Sequence, residues 1–126
     1  MNTNCEIINK TKGTRPRVPF AKIKDAILGA DYEISIASVS KAESKRLNGT
    51  LRGKDYPTNI LSFPLSEKSG EIIFQMDKVK ADAPNFDMSL RKFFIFLFIH
   101  GCLHLKGMEH SSIMEREERK FLKKFS

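Results

Sequence analysis

Residues 93–110 read FFIFLFIHGCLHLKGMEH. From about Ser89 to Lys106 the chain is apolar on nearly every side, which predicts a long helix buried in the core. Gly107 stops it, as glycine commonly does at the C-terminal end of helices. Arg91 and Lys92 precede the apolar stretch and two histidines interrupt it. It therefore falls short of the roughly 20 residues that cross a bilayer, and no membrane partner is expected. The three histidines of the chain, His100, His104 and His110, all lie in this segment. His100 and His104 form an i,i+4 pair, about 40° apart and one turn along a helix, so both can grip one ion. Gly107 lets the chain leave the helix and turn, and His110 then supplies a third imidazole. Three protein ligands with a position left for water describe a catalytic zinc site, whereas structural sites usually close with four. Cys102 lies about 200° around from His100 and is expected to be a core thiol on the opposite side. Imidazole donors suit zinc, one ion per chain, and would equally accept nickel, copper or iron.

Outward from this helix, short elements follow one another without a repeat. Residues 4–10, around CEIIN, predict a first strand. After Pro16 and Pro19, Ile23, Ile27 and Leu28 mark one face of a short helix ending at Gly29. EISIASVS at 33–40 alternates as a strand does, and KAESKRLN at 41–48 follows as a charged helical turn, with Gly49 and Gly53 bracketing a loop. NILSFPL at 59–65 and EIIFQM at 71–76 are expected to be neighbouring strands, giving a sheet of about four. An Asp- and Pro-containing segment, 77–87, leads to the long helix. A last helix is predicted from Ser112, with Ser112 and Glu115 at capping-box spacing and Met114, Phe121, Leu122 and Phe125 on its buried side. The intermixed order implies an α+β or mixed-sheet α/β fold in one domain over residues 1–126, with the core helix carrying the metal ligands.

The composition fits a packed protein: 126 residues, 40% apolar, ten Phe and no Trp. Lys and Arg number 22 against 15 Asp and Glu, a net charge of +7, which favours a polyanion and places nucleic acid ahead of membrane. Cys5 and Cys102 form no CxxC pair, and MNTNCEIINKTKG has no apolar segment of the signal-peptide kind. A reducing, cytoplasmic location is expected.

HGCLHLKGMEH at 100–110 resembles the H-G-x-L-H-L-x-G-x-D/E-H signature of the YbeY endoribonuclease family, the bacterial ribosomal-RNA maturation factors. LNGTLRGKDYPTNILSFP at 47–64 resembles that family's second block, an Arg followed by K-D-x-P-T-D-V-L-S-F-P, and GEIIFQ at 70–75 its G-D-I-x-I strand. Departures are Asn59 where Asp is usual, and Met108-Glu109 in place of Tyr-Asp. The resemblance implies a zinc-type ion on His100, His104 and His110 and single-strand-selective cleavage of RNA. It further implies a part in 16S rRNA 3′-end maturation and ribosome quality control, with rRNA and ribosomal particles as partners. No DNA substrate is expected, and a ribosomal protein or a GTPase is compatible as a further partner.

Position 101 is Gly, where H-E-x-x-H metalloproteases carry the Glu that acts as general base, so peptidase chemistry of that type is disfavoured. An ion on three neutral ligands keeps its double positive charge, which suits phosphodiester cleavage. Charge developing on phosphorus calls for a guanidinium, and the resemblance assigns that catalytic and substrate-binding role to Arg52, expected in the loop before the TNILSFP strand. Lys54 is a further candidate phosphate contact, and Glu109 either orients a ligand imidazole or sits in solvent. Two other readings stand beside the endoribonuclease: a metal-stabilised ribosome assembly factor without nuclease activity, and a metallohydrolase acting on a peptide or small ester. The residues leave open whether water or the RNA's own 2′-hydroxyl attacks.

Overall fold

The alternating runs pair into one mixed sheet. In the computed structural model, which describes Cys5–Asn9 and residues 16–126, strands β1 (Cys5–Asn9), β2 (Glu33–Ser38), β3 (Ile60–Ser66) and β4 (Ser69–Phe74) lie in the order β1-β2-β4-β3. β1, β2 and β4 are parallel, with Ile36 level with Ile7 on one side and Ile72 on the other. β3 turns back antiparallel onto β4, placing Ile60 opposite Phe74. Parallel neighbours need a crossover, and α1 (Phe20–Leu28) supplies it between β1 and β2. The arrangement is of the α+β, mixed-sheet class expected.

Period-2 alternation gives the sheet two apolar faces. Ile34, Ile36, Ile72 and Phe74 pack into the main core with α1 and with α4 (Leu90–Leu105). Ala37, Val39, Leu61 and Ile73 form a smaller cluster against Leu47 of α2 (Lys41–Arg52). α4 is the central element. Phe93, Phe94, Ile95, Phe98, Ile99, Cys102 and Leu103 have no exposed surface, and Cys102 is the core thiol expected. Phe94 meets Phe20 and Phe74 edge-to-face at ring separations of 5.7 and 4.5 Å. Among the described residues no single helix is long and apolar enough to cross a membrane.

Two local expectations, on the length of α2 and on the cap of the last helix, need correction, and one segment left unassigned by the sequence takes a definite form. α2 does not stop at Asn48 but runs through Gly49 to Arg52 and closes at Gly53, whose φ of 67° is left-handed. Its inner face is sewn to the following segment. Ser44 Oγ donates to the Thr58 carbonyl (2.9 Å) and accepts from the Thr58 N–H (3.0 Å), and the Asn48 amide donates to the Tyr56 carbonyl (2.8 Å). Those bonds outweigh the ~1 kcal/mol cost of a mid-helix glycine. The segment 77–87 is largely helical: α3 (Met76–Asp82) is capped by the Gln75 side chain, which accepts from the Lys78 N–H at 2.8 Å, and a 3-10 turn follows over Ala83–Phe86. The last helix, α5 (Ser112–Phe125), is capped by Ser111, whose Oγ accepts from the Met114 N–H at 3.2 Å. Ser112 is already helical, so the Ser112/Glu115 box does not form.

Replacing Phe94 by Ala is expected to cost about 3–5 kcal/mol, a large share of the ~5–15 kcal/mol typical of a domain. Denaturant unfolding checks this; a loss below ~1 kcal/mol contradicts the packing described.

Candidate metal centre

The end of α4 builds the site. Lys106 is the last helix-flanking residue, and Gly107 (φ 105°) turns the chain out. The Gly107 N–H donates to the His104 carbonyl (2.9 Å) and the Met108 N–H to the Leu103 carbonyl (3.0 Å), the hydrogen-bond pair of a Schellman motif. Two consequences follow from this turn. The Met108 carbonyl arrives at the His104 ring and accepts from Nδ1–H at 3.0 Å. His110 is carried back beside the helix, its ring 5.1 Å from that of His100 and 4.7 Å from that of His104.

His100, His104 and His110 thus converge, one ligand atom from each lying within 4.8 Å of the others, and they are the one such cluster among the described residues. Two partners fix the ring tautomers. His104 gives its Nδ1 proton to Met108, and His100 gives its own to the Glu118 carboxylate, against which it is directly hydrogen-bonded. Both Nε2 atoms then carry lone pairs, and they face each other at 3.0 Å. Two such lone pairs repel unless a cation lies between them. A tetrahedral ion at ~2.1 Å from each nitrogen separates donors by ~3.4 Å, within the spread of this cluster. The donor set therefore fits a metal ion. Burial, followed by the neighbouring His100 imidazole, holds the His104 pKa below its ordinary 6.5, which keeps the ring neutral and able to ligate.

Glu118 was not among the residues singled out from the sequence. Its signal is nonetheless legible: Met114, Glu118 and Phe121 follow i, i+4, i+7 spacing, so a carboxylate interrupts the apolar stripe of α5. Only 8% of Glu118 is exposed. Glu109, the carboxylate considered earlier for this role, is exposed. Gly101 explains why no Glu follows His100. A Cβ there would lie 3.0 Å from Ile72 Cδ1 and 3.2 Å from Ile60 Cδ1, so α4 presses on the sheet at this residue and a larger side chain would have to displace both isoleucines.

Arg52 joins the histidines. It is the last residue of α2 and not a loop residue, and the Ser44–Thr58 and Asn48–Tyr56 bonds that correct the helix length also set where it stands. Together with Ile60, Ser62, His100, His104 and His110 it lines one pocket of about 350 Å³. Ser62, on β3, also lines this pocket and is the polar lining residue that the sequence reading did not single out. Lys54 is exposed in the loop after α2 and is not among the lining residues. Asn59 also stands outside the pocket. Its amide donates to Asp82 at 3.0 Å, and Asp82 in turn accepts from Lys78 at 3.0 Å. An Asp at position 59 would set two carboxylates against each other, so Asn is the residue that fits beside Asp82.

The family model described as Endoribonuclease YbeY matches residues 10–126. The chain belongs to the YbeY family. Among curated relatives, Endoribonuclease YbeY of Aromatoleum aromaticum is 37% identical over 100 residues, covering 77% of this chain and 65% of the relative. The proteins of the same description from Pseudomonas putida (38%; 75% and 66%) and Alkaliphilus metalliredigens (34%; 70% and 64%) are similar. The chain thus spans just under two thirds of the length of the relatives it matches. The solution structure of TM1509 from Thermotoga maritima superposes with a TM-score of 0.68 at 30% identity, covering 94% of this chain and 87% of the other.

Removing the Glu118 carboxylate by Glu118→Ala is expected to weaken metal binding about 10–100-fold, while Glu109→Ala leaves it unchanged; competition with a chromophoric chelator measures both. A second expectation concerns pH. The folded-state pKa of His104 is lowered, so between that value and ~6.5 the unfolded chain binds the extra proton. The stability that His104 contributes is then full above ~6.5 and is lost as pH falls through its folded pKa. Melting temperatures of metal-free protein should drop from pH 7.5 to 5, and His104→Gln should flatten that drop.

Proposed function

We propose that this protein is a metal-dependent endoribonuclease that cuts single-stranded RNA, acts in 16S rRNA 3′-end maturation and ribosome quality control, and works in the cytoplasm on ribosomal particles as one domain over residues 1–126. The observation that carries the reading is the entry of Arg52 into the same pocket as the three imidazoles. Membership of the YbeY family and relatives described as endoribonucleases support it, and the net charge of +7 suits a polyanionic substrate.

Each residue has a task that its chemistry allows. His100, His104 and His110 hold the ion, for which zinc is the proposed identity. When bound, such an ion supplies Lewis acidity to a phosphoryl oxygen and lowers the pKa of water towards ~7. Glu118 and the Met108 carbonyl keep protons on the outer ring nitrogens, so that the inner ones stay free to ligate. The Arg52 guanidinium offers paired N–H donors to the non-bridging oxygens of a phosphodiester, and its fixed positive charge opposes the negative charge that grows there. Ser62 adds a hydroxyl to the same wall. The pocket volume lies at the small end of the ~300–1,000 Å³ range of ligand sites, a fit for one phosphodiester and its neighbouring sugar. With Gly101 packed on the sheet, the carboxylate base of a peptidase is absent from the position next to His100.

Cleavage of a single-stranded rRNA fragment, with metal content measured on the same samples, tests this. Arg52→Ala is expected to keep its metal and lose about 10²–10³ in rate, and His104→Ala to lose both metal and activity. Equal cutting by Arg52→Ala would remove the guanidinium from the mechanism. If metal-loaded wild type does not cut at all, the metal-stabilised assembly factor becomes the better reading.

A further inference from the structure

Phe86 stands out on the surface: 52% of this large apolar side chain is exposed, at the end of the 3-10 turn before α4. It does not stand alone. Its ring stacks on Phe93 at 4.9 Å and 28°, and lies 6.3 Å from Phe96 at 38°. Phe93 and Phe96 are nearly parallel, at 21° and 6.3 Å, and Phe96 lies 6.2 Å from the His100 ring at 33°. Phe93, Phe96 and His100 follow i, i+3, i+7 spacing, which puts them on one face of α4. Four flat side chains, their ring planes inclined by 21–38° from one neighbour to the next, therefore run from the surface to a metal-site imidazole. Phe93 is fully buried and props the row, while Phe86 and the half-buried Phe96 keep surface open to solvent.

We propose that Phe86 and Phe96 form a base-stacking track that leads single-stranded RNA to the histidine pocket. This rests on the RNA-cleaving reading above and names how its substrate is held. Stacking suits an unpaired strand, because every base has a flat face and only an unpaired strand can present it freely. The row is continuous with the pocket through His100. Lys92, one helical turn before Phe96 and exposed, has no carboxylate partner among the described residues and is placed to meet the backbone of a strand lying on that face. The turn that presents Phe86 is fixed by the Asp87 N–H donating to Pro84 (3.1 Å) and the Met88 N–H to Ala83 (3.4 Å), so little order has to be gained on binding.

The test uses metal-loaded full chain and a single-stranded 2′-O-methyl oligonucleotide, so that binding is read apart from 2′-hydroxyl chemistry. Phe86→Leu, which keeps an apolar side chain and loses the ring, is expected to weaken binding about 5- to 100-fold with melting temperature and metal content unchanged, while Phe86→Tyr binds as wild type does. Because the chain has no Trp, F86W introduces a unique fluorophore, and the single strand should quench it while an RNA duplex does not. If wild type binds the strand and Phe86→Leu binds it equally, the track is wrong and the RNA reading survives. If Phe86→Leu instead abolishes self-association seen by sedimentation and leaves RNA binding intact, the row is a contact between copies and the proposal is overturned. If wild type neither binds the oligonucleotide nor cuts the rRNA fragment, the RNA reading itself falls.

Discussion

At Gly107 the chain takes up φ 105° and leaves α4, and the two backbone hydrogen bonds of that turn decide where two of the three imidazoles stand. One residue with access to positive φ does three things at once: it ends the helix one turn after the His100–His104 pair has formed, brings the Met108 carbonyl to His104, and returns His110 to the cluster. A side chain with a Cβ resists that conformation, and any other way of ending the helix would send His110 elsewhere. The metal centre is thus a property of a helix terminus, built on a helix that the core cannot release, because seven of its residues are wholly buried.

The second support comes from α5. A carboxylate buried to the extent of Glu118 requires a partner, and its partner is the outer nitrogen of His100. The same contact that satisfies Glu118 fixes the His100 tautomer, so packing and ligation depend on each other. Buried charge elsewhere is handled in a comparable way. Lys24 is fully buried, yet its ammonium donates to the Gly29 and Ala30 carbonyls at 3.2 Å each and pairs with Asp25 at 2.6 Å, closing the end of α1.

On the other wall of the pocket, Arg52 depends on contacts with no direct link to metal chemistry. The extension of α2 past Gly49 is held by Ser44 and Asn48 reaching the segment that leads into β3. That segment begins β3, which carries Ile60 and Ser62 into the pocket, so helix end and strand are positioned by one set of hydrogen bonds. Asn59, the departure from the family pattern, belongs to a neighbouring network with Asp82 and Lys78. Its change of side chain is absorbed by the fold away from the pocket.

The sequence by itself determined the elements whose signal is local. Alternation marked β2, short β-rich runs either side of a polar loop marked β3 and β4, the unbroken apolar run marked α4, and the i,i+4 histidines with a following glycine marked a metal site, because periodicity and turn chemistry act over a few residues. The family motifs pointed to Arg52. What only the tertiary structure decided were the features that depend on residues distant in the chain. α2 continues through a glycine because loop contacts outweigh propensity, and Ser111 caps α5 because its backbone is extended where Ser112 is already helical. Glu118, and not Glu109, orients a ligand because α5 folds back onto α4 and sets a residue 18 positions along the chain against the His100 ring, a contact that the spacing of the histidine motif does not contain. Gly101 is small because the sheet lies against it, and Arg52 meets the histidines because β3 and α4 fold together; both are consequences of packing in three dimensions, which spacing along the chain does not encode.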